Sequence, residues 1–162
     1  MQFDKRQMEE IKVALEIFFR ISFSDAKTME GTKPDRERIE EILQPLFGDF
    51  DVRCGFGSGG FIDIPYIVFC KKEWYEPQYG VYPRIAVHRK EANKIEVSIV
   101  ESANTKVPPY AAQTQIIKYN TSGAYFTPNA LVEIDYEAII NKLAKDMDFF
   151  LNIKDEDLPP RK

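Results

Sequence analysis

The chain has 162 residues, the size of one ordinary domain, with 44% hydrophobic and 13% aromatic content. That composition excludes disorder as the main state, and no apolar run reaches the roughly 18 residues a membrane helix needs. The formal charge of −4 argues against a protein that coats nucleic acid by bulk charge, and one histidine with two cysteines is too few for a Cys/His zinc site. The first residues run straight into an amphipathic segment, so no secretory leader is expected, and a reducing cytoplasm suits two cysteines set in apolar runs.

Met8, Ile11, Leu15, Phe18 and Ile21 recur at helical spacing, predicting an amphipathic helix over about 4–22. A polar loop follows. Pro34 suits the first turn of a second helix, whose apolar stripe is Ile39, Ile42, Leu43 and Leu46 and whose stop is Gly48. The period then falls to two. Phe50, Val52, Cys54 and Phe56 predict a strand, glycines break it, and about 61–70 reads as a second strand with Pro65 marking an edge or a bulge. Val81, Pro83, Ile85 and Val87 predict a third strand, and Glu91-Ala92-Asn93 a hairpin turn into a fourth over about 94–100. Pro108-Pro109 can open a short helix to about residue 119, and Tyr125-Phe126 a short strand. Asp135 is a good N-cap for a closing helix over about 136–152. The charged stretch 154–162 reads as the opening of a linker after a single domain, 1–153. The expected class is α+β: a bent, largely antiparallel sheet covered by an N-terminal helix pair and a C-terminal helix.

The charge is uneven. Residues 1–50 carry a net −3, 51–120 a net +2 and 121–162 a net −3, so the middle of the chain is its electropositive part. The chain lacks a phosphate-binding G-x-x-x-x-G-K-[ST] loop and a G-x-S-x-G nucleophile elbow. His88, the single imidazole, has no nucleophile placed beside it by sequence, so no catalysis is expected of this chain and no metal site. The unusual stretch is 55–66, with glycines at 55, 57, 59 and 60. Such a run serves either a tight turn between strands or a slim loop that enters a groove. Arg53, Lys71, Lys72, Arg84, Arg89 and Lys90 lie on the adjoining strands and turns, with Tyr66, Tyr82 and Tyr125 among them. Cations hold phosphates and rings stack on bases, so the pattern suits nucleic acid, although tyrosines in a sheet also serve as half-buried packing.

The segment Gly55-Phe56-Gly57-Ser58-Gly59-Gly60-Phe61-Ile62-Asp63-Ile64-Pro65-Tyr66, followed by Gly80-Val81-Tyr82-Pro83-Arg84-Ile85, resembles the N-terminal DNA-recognition domain of McrB-type modification-dependent restriction enzymes. The resemblance runs over about 45–160 and includes the Leu158-Pro159-Pro160 exit. It implies binding of double-stranded DNA that carries 5-methylcytosine, 5-hydroxymethylcytosine or another modified base, with the base flipped into an aromatic pocket. It also implies a downstream motor that uses GTP and Mg, and a separate McrC-like nuclease subunit acting in phage defence. By position, Tyr66 matches the pocket aromatic, Ala86 a pocket wall that is larger elsewhere in the family, and Tyr119 or Tyr125 a further pocket tyrosine, beside Tyr82. Phe56, Ser58, Gly59, Gly60 and Phe61 match the groove loop. Ser58 stands at the family's tyrosine wedge and cannot stack, so Phe56 or Phe61 would take that part. Alanine at 86 enlarges the pocket and admits a bulkier base, or N6-methyladenine.

Overall fold

A computed structural model describes residues 1–25, 31–57, 60–121 and 125–161. Helix α1 (Lys5–Ser22) begins at a reciprocal cap: Gln7 N–H donates to the Asp4 carboxylate at 2.8 Å, and Asp4 N–H donates to the Gln7 side chain at 2.9 Å. Its stripe of Ile11, Ala14, Leu15, Phe18 and Phe19 is fully buried. Helix α2 (Lys33–Leu43) carries Pro34 in its first turn and tightens into a 3-10 turn, Gln44–Leu46. The strands are β1 (Phe50–Gly55), β2 (Tyr66–Lys71), β3 (Val81–His88) and β4 (Lys94–Glu101). After them come α3 (Gln113–Asn120), the two-residue β5 (Tyr125–Phe126) and α4 (Tyr136–Leu151), capped by Asp135 as expected.

The sheet runs in the order β1-β2-β3-β4-β5, antiparallel throughout. Alternation sends Val52, Ile67, Phe69, Ile85, Val87, Val97 and Ile99 to one face, which α4 covers, with α1 packed against α4 and α2. With the helices on one side, the architecture is the expected α+β. The hairpin between β3 and β4 turns on Ala92 and Asn93, both at φ 57°. No helix among the described residues is long and apolar enough to cross a membrane.

Side chains cap parts of the ladder that no strand pairs. Gln44 donates to the Phe50 carbonyl at 2.6 Å and accepts from Val52 N–H at 2.9 Å, and Glu40 accepts from Cys54 N–H at 2.9 Å. These groups stand where a neighbouring strand would bond to β1. Asn120 does the same for β4, accepting from Ile99 N–H at 3.3 Å and donating to the Ile99 carbonyl at 2.6 Å.

Three boundaries differ from the sequence expectation. The second strand starts at Tyr66 rather than 61, because Pro65 has no N–H for the ladder; the contact with the β3 side continues through carbonyls alone, Pro65 accepting from Val87 N–H at 3.1 Å and Asp63 from Arg89 N–H at 3.0 Å. Helix α3 starts at Gln113, because Ala112 N–H is held by the Asp157 carbonyl at 2.9 Å. The stretch read as a linker is docked on the domain: Leu158 is 5% exposed, Tyr75 donates to the Pro159 carbonyl at 2.7 Å, and Tyr79 donates to the Pro160 carbonyl at 3.0 Å.

Candidate functional site

The face of the sheet turned from the helices carries the residues singled out by sequence. Register places Tyr66 opposite Ala86, Ala86 opposite Glu96, and Glu96 opposite Tyr125, one row across four strands. The next row holds Arg53, Val68, Arg84 and Ser98. Period-two alternation is what gathers these side chains on one face.

At the β1 end of this face lies a cavity of about 490 Å³. Tyr66, Val68, Tyr82 and Arg84 line it from the sheet, Arg36 from α2, and Gln78 from the loop after β2. That volume falls in the range of small-molecule sites. The Tyr66 ring is half-buried and rests over Gly55. Tyr82 is nearly closed off and donates its hydroxyl to the Pro77 carbonyl at 2.7 Å. Burial is the main cause that pushes both phenols above their ordinary pKa. Ala86 is fully buried and does not reach the cavity wall, so its short side chain serves the sheet rather than an enlarged pocket.

Glu96 organises the centre of the face. It is 8% exposed and takes Arg84 Nη2 at 3.1 Å, His88 Nε2 at 2.6 Å and the Ser98 hydroxyl. Burial works to raise its pKa, but the Ser98 hydrogen bond, the Arg84 charge and His88 outweigh it, so the net shift is downward. Arg84 therefore stands in the cavity wall with its charge already balanced.

The other expected phosphate contacts divide. Lys71 pairs with Asp155 and sits 4.4 Å from the Trp74 ring centre. Lys90 pairs with Asp63 at 3.2 Å. Arg89 donates to the Ser24 carbonyl at 2.6 Å and covers the Phe61 ring at 3.9 Å. Arg53 is exposed on the open face, with one bond to the Val52 carbonyl at 3.2 Å. Lys72 is exposed.

The groove-loop residues also separate. Phe56 is fully buried and packs on Phe18 and Phe61 at 5.7 and 5.6 Å, so it belongs to the core and is no wedge in this conformation. Phe61 is half-buried under Arg89, and Gly60 is exposed. Gly57, at φ 122°, turns the chain so sharply that a Cβ there would stand 2.3 Å from the Gly60 carbonyl oxygen. Ser58 and Gly59 lie outside the described residues. Of the two alternatives for a further pocket tyrosine, Tyr119 lies outside this cavity: it stacks on Phe149 at 3.9 Å and donates to the buried Asp146 at 2.7 Å, against α4. Tyr125 is 54% exposed and lies on the open face near Lys94 and His88, in the Tyr66 row but outside the cavity.

Sequence reasoning missed Arg36. Its signal was present. Positions 36, 39, 40 and 43 share one helical face, and Ile39 and Leu43 are buried, so Arg36 and Glu40 are charges on an otherwise apolar stripe. Among the described residues no group of three or more His, Cys, Asp or Glu side chains is arranged to hold a metal ion. No family model matches the chain, and no curated protein is significantly similar to it.

Proposed function

We propose that this domain is the DNA-specificity module of a modification-dependent restriction system and that it reads a modified base flipped against Tyr66. The observation that carries the reading is the cavity in which Tyr66 and Tyr82 meet Val68 and Arg84 beside the glycine-rich turn. Flipping costs a few kcal/mol of stacking and pairing. Stacking on an aromatic side chain returns roughly 1–3 kcal/mol per base, and the exposed Arg53 and Lys72 add phosphate contacts. On this reading the chain does no chemistry itself. A GTP- and Mg-dependent motor and an McrC-like nuclease belong to other domains or subunits. Gel-shift titration with methylated, hydroxymethylated and plain duplexes tests the proposal. Tighter binding to a modified duplex is expected; equal or absent binding to all three would sink it.

A second reading, a regulatory module that binds a ligand or a protein through the same face, is favoured by one observation. Lys71, Arg84 and Lys90 spend their charge on internal carboxylates. Binding that is insensitive to salt would decide for this second reading, because DNA contacts through phosphates weaken steeply as salt rises.

A further inference from the structure

The two guanidinium groups in the cavity wall are not equivalent. Arg84 is tied to Glu96 at 3.1 Å. Arg36 has no ion pair with any carboxylate among the described residues. Its neighbours on α2 are otherwise engaged: Asp35 with Arg20, and Glu37 with Lys33. Glu40, one turn further on, spends an oxygen on Cys54 N–H. The Nε atoms of Arg36 and Arg84 are both shielded from solvent and without a hydrogen-bond partner. A guanidinium offers five N–H donors in a planar fork, and partial burial without an acceptor is costly. Arg36 is therefore the guanidinium of the cavity without an ion pair, beside an aromatic ring; the cavity's carboxylate, Glu101, is engaged by the Tyr110 hydroxyl and the Gln113 amide.

From this we infer that Arg36 is the polar recognition arm of the cavity and that it grips paired acceptor atoms of a nucleotide seated against Tyr66. The shared chemistry is a two-acceptor edge, which both a phosphate and the carbonyl–ring nitrogen edge of a base present. The inference rests on the reading of the cavity as a nucleotide site and adds the residue that holds the polar end. A tyrosine supplies stacking without orientation. A fork fixed on a helix supplies the orientation.

The experiment compares wild-type chain with Arg36→Gln and Arg36→Lys. Probes are a 5-methylcytosine duplex, the plain duplex, 5-methyldeoxycytidine, its 5′-monophosphate and orthophosphate, with melting temperature as a control. Arg36→Gln is expected to weaken the modified duplex at least about tenfold, as for loss of a hydrogen bond to a charged group. Rescue by Arg36→Lys assigns the acceptor to phosphate, since lysine keeps the charge; no rescue, with loss of the bare nucleoside as well, assigns it to the base edge. Undiminished binding of the modified duplex by Arg36→Gln would overturn the inference and leave the proposed function standing. Failure of the wild type on every duplex, with Arg36-dependent binding of the monophosphate or orthophosphate, would remove the DNA reading and leave the inference. No binding of any probe by the wild type removes both. Should Arg36→Gln melt early, the Nε–H resonance of Arg36 in labelled wild type gives the answer: a shift on adding the 5-methylcytosine duplex supports the contact, and an unmoved resonance at saturation overturns it.

Discussion

The ring of Tyr66 lies so close over Gly55 that a Cβ on that glycine would stand 2.4 Å from the ring carbon Cζ. The two residues face each other across β1 and β2, so glycine at 55 makes the space in which the ring lies flat at the cavity. Gly55→Ala must push the ring away. We expect it to weaken binding of modified DNA about as much as Tyr66→Ala does, roughly 1–3 kcal/mol for one stacked base, with plain DNA almost unaffected. Fluorescence anisotropy on matched duplexes checks this, and equal losses on both duplexes would point to misfolding.

Lys72 and Lys71 adjoin in sequence and differ in fate. Lys71 is held by Asp155 and the Trp74 ring, whereas Lys72 is exposed. Lys72→Ala is expected to weaken modified and plain duplexes alike and to reduce the log–log salt slope by about 0.9, one phosphate contact. Lys71→Ala is expected to leave that slope nearly unchanged and to loosen the docked stretch around Asp155. Titrations at several salt concentrations separate the two.

Glu96 links the open face to pH. Its folded-state pKa lies below its ordinary value of 4.5, so the folded protein prefers the carboxylate more than the unfolded chain does. The stabilisation is complete above the ordinary value and is lost as pH falls through the lowered one. Chemical denaturation between pH 6 and about pH 3 should therefore show falling stability at the acid end. Glu96→Gln should flatten that slope while lowering stability at neutral pH, because Arg84 loses its counter-charge.

Tyr119 separates structure from recognition. Its hydroxyl donates to Asp146, which is fully buried and whose pKa is raised, chiefly by burial. Tyr119→Phe removes a donor from a buried carboxylate and is expected to cost about 1–3 kcal/mol of stability. Binding of modified DNA should not change. A loss of modified-base discrimination without a change in melting would return Tyr119 to the site.

Periodicity made the helices, the four long strands and the α+β class readable, because each apolar stripe is long and of one period. It failed where a single backbone group decides. Pro65 withholds an N–H and shortens β2, and Ala112 gives its N–H to Asp157, which delays α3. The docked end was hidden for a related reason: backbone carbonyls of Pro159 and Pro160 accept its hydrogen bonds, and no sequence pattern marks them. In the site, strand alternation was enough to bring Tyr66, Tyr82 and Arg84 to one cavity. Phe56 misled because it continues the β1 alternation for one residue past the end of the strand, into the core. Arg36 was hidden because a charged side chain on a helix ordinarily faces water.

Gln44 has a consequence for assembly as well as for stability. Gln44→Ala would orphan the Phe50 carbonyl and Val52 N–H, at about 1–3 kcal/mol if they stay dry, and thermal melting measures the loss. With Asn120 holding Ile99 in the same way on β4, past the short reach of β5, a carboxamide posing as peptide closes one stretch of ladder on each side of the pleated layer. Crowded copies of the molecule find no open peptide groups at Phe50, Val52 and Ile99 to serve as a template for fibre growth.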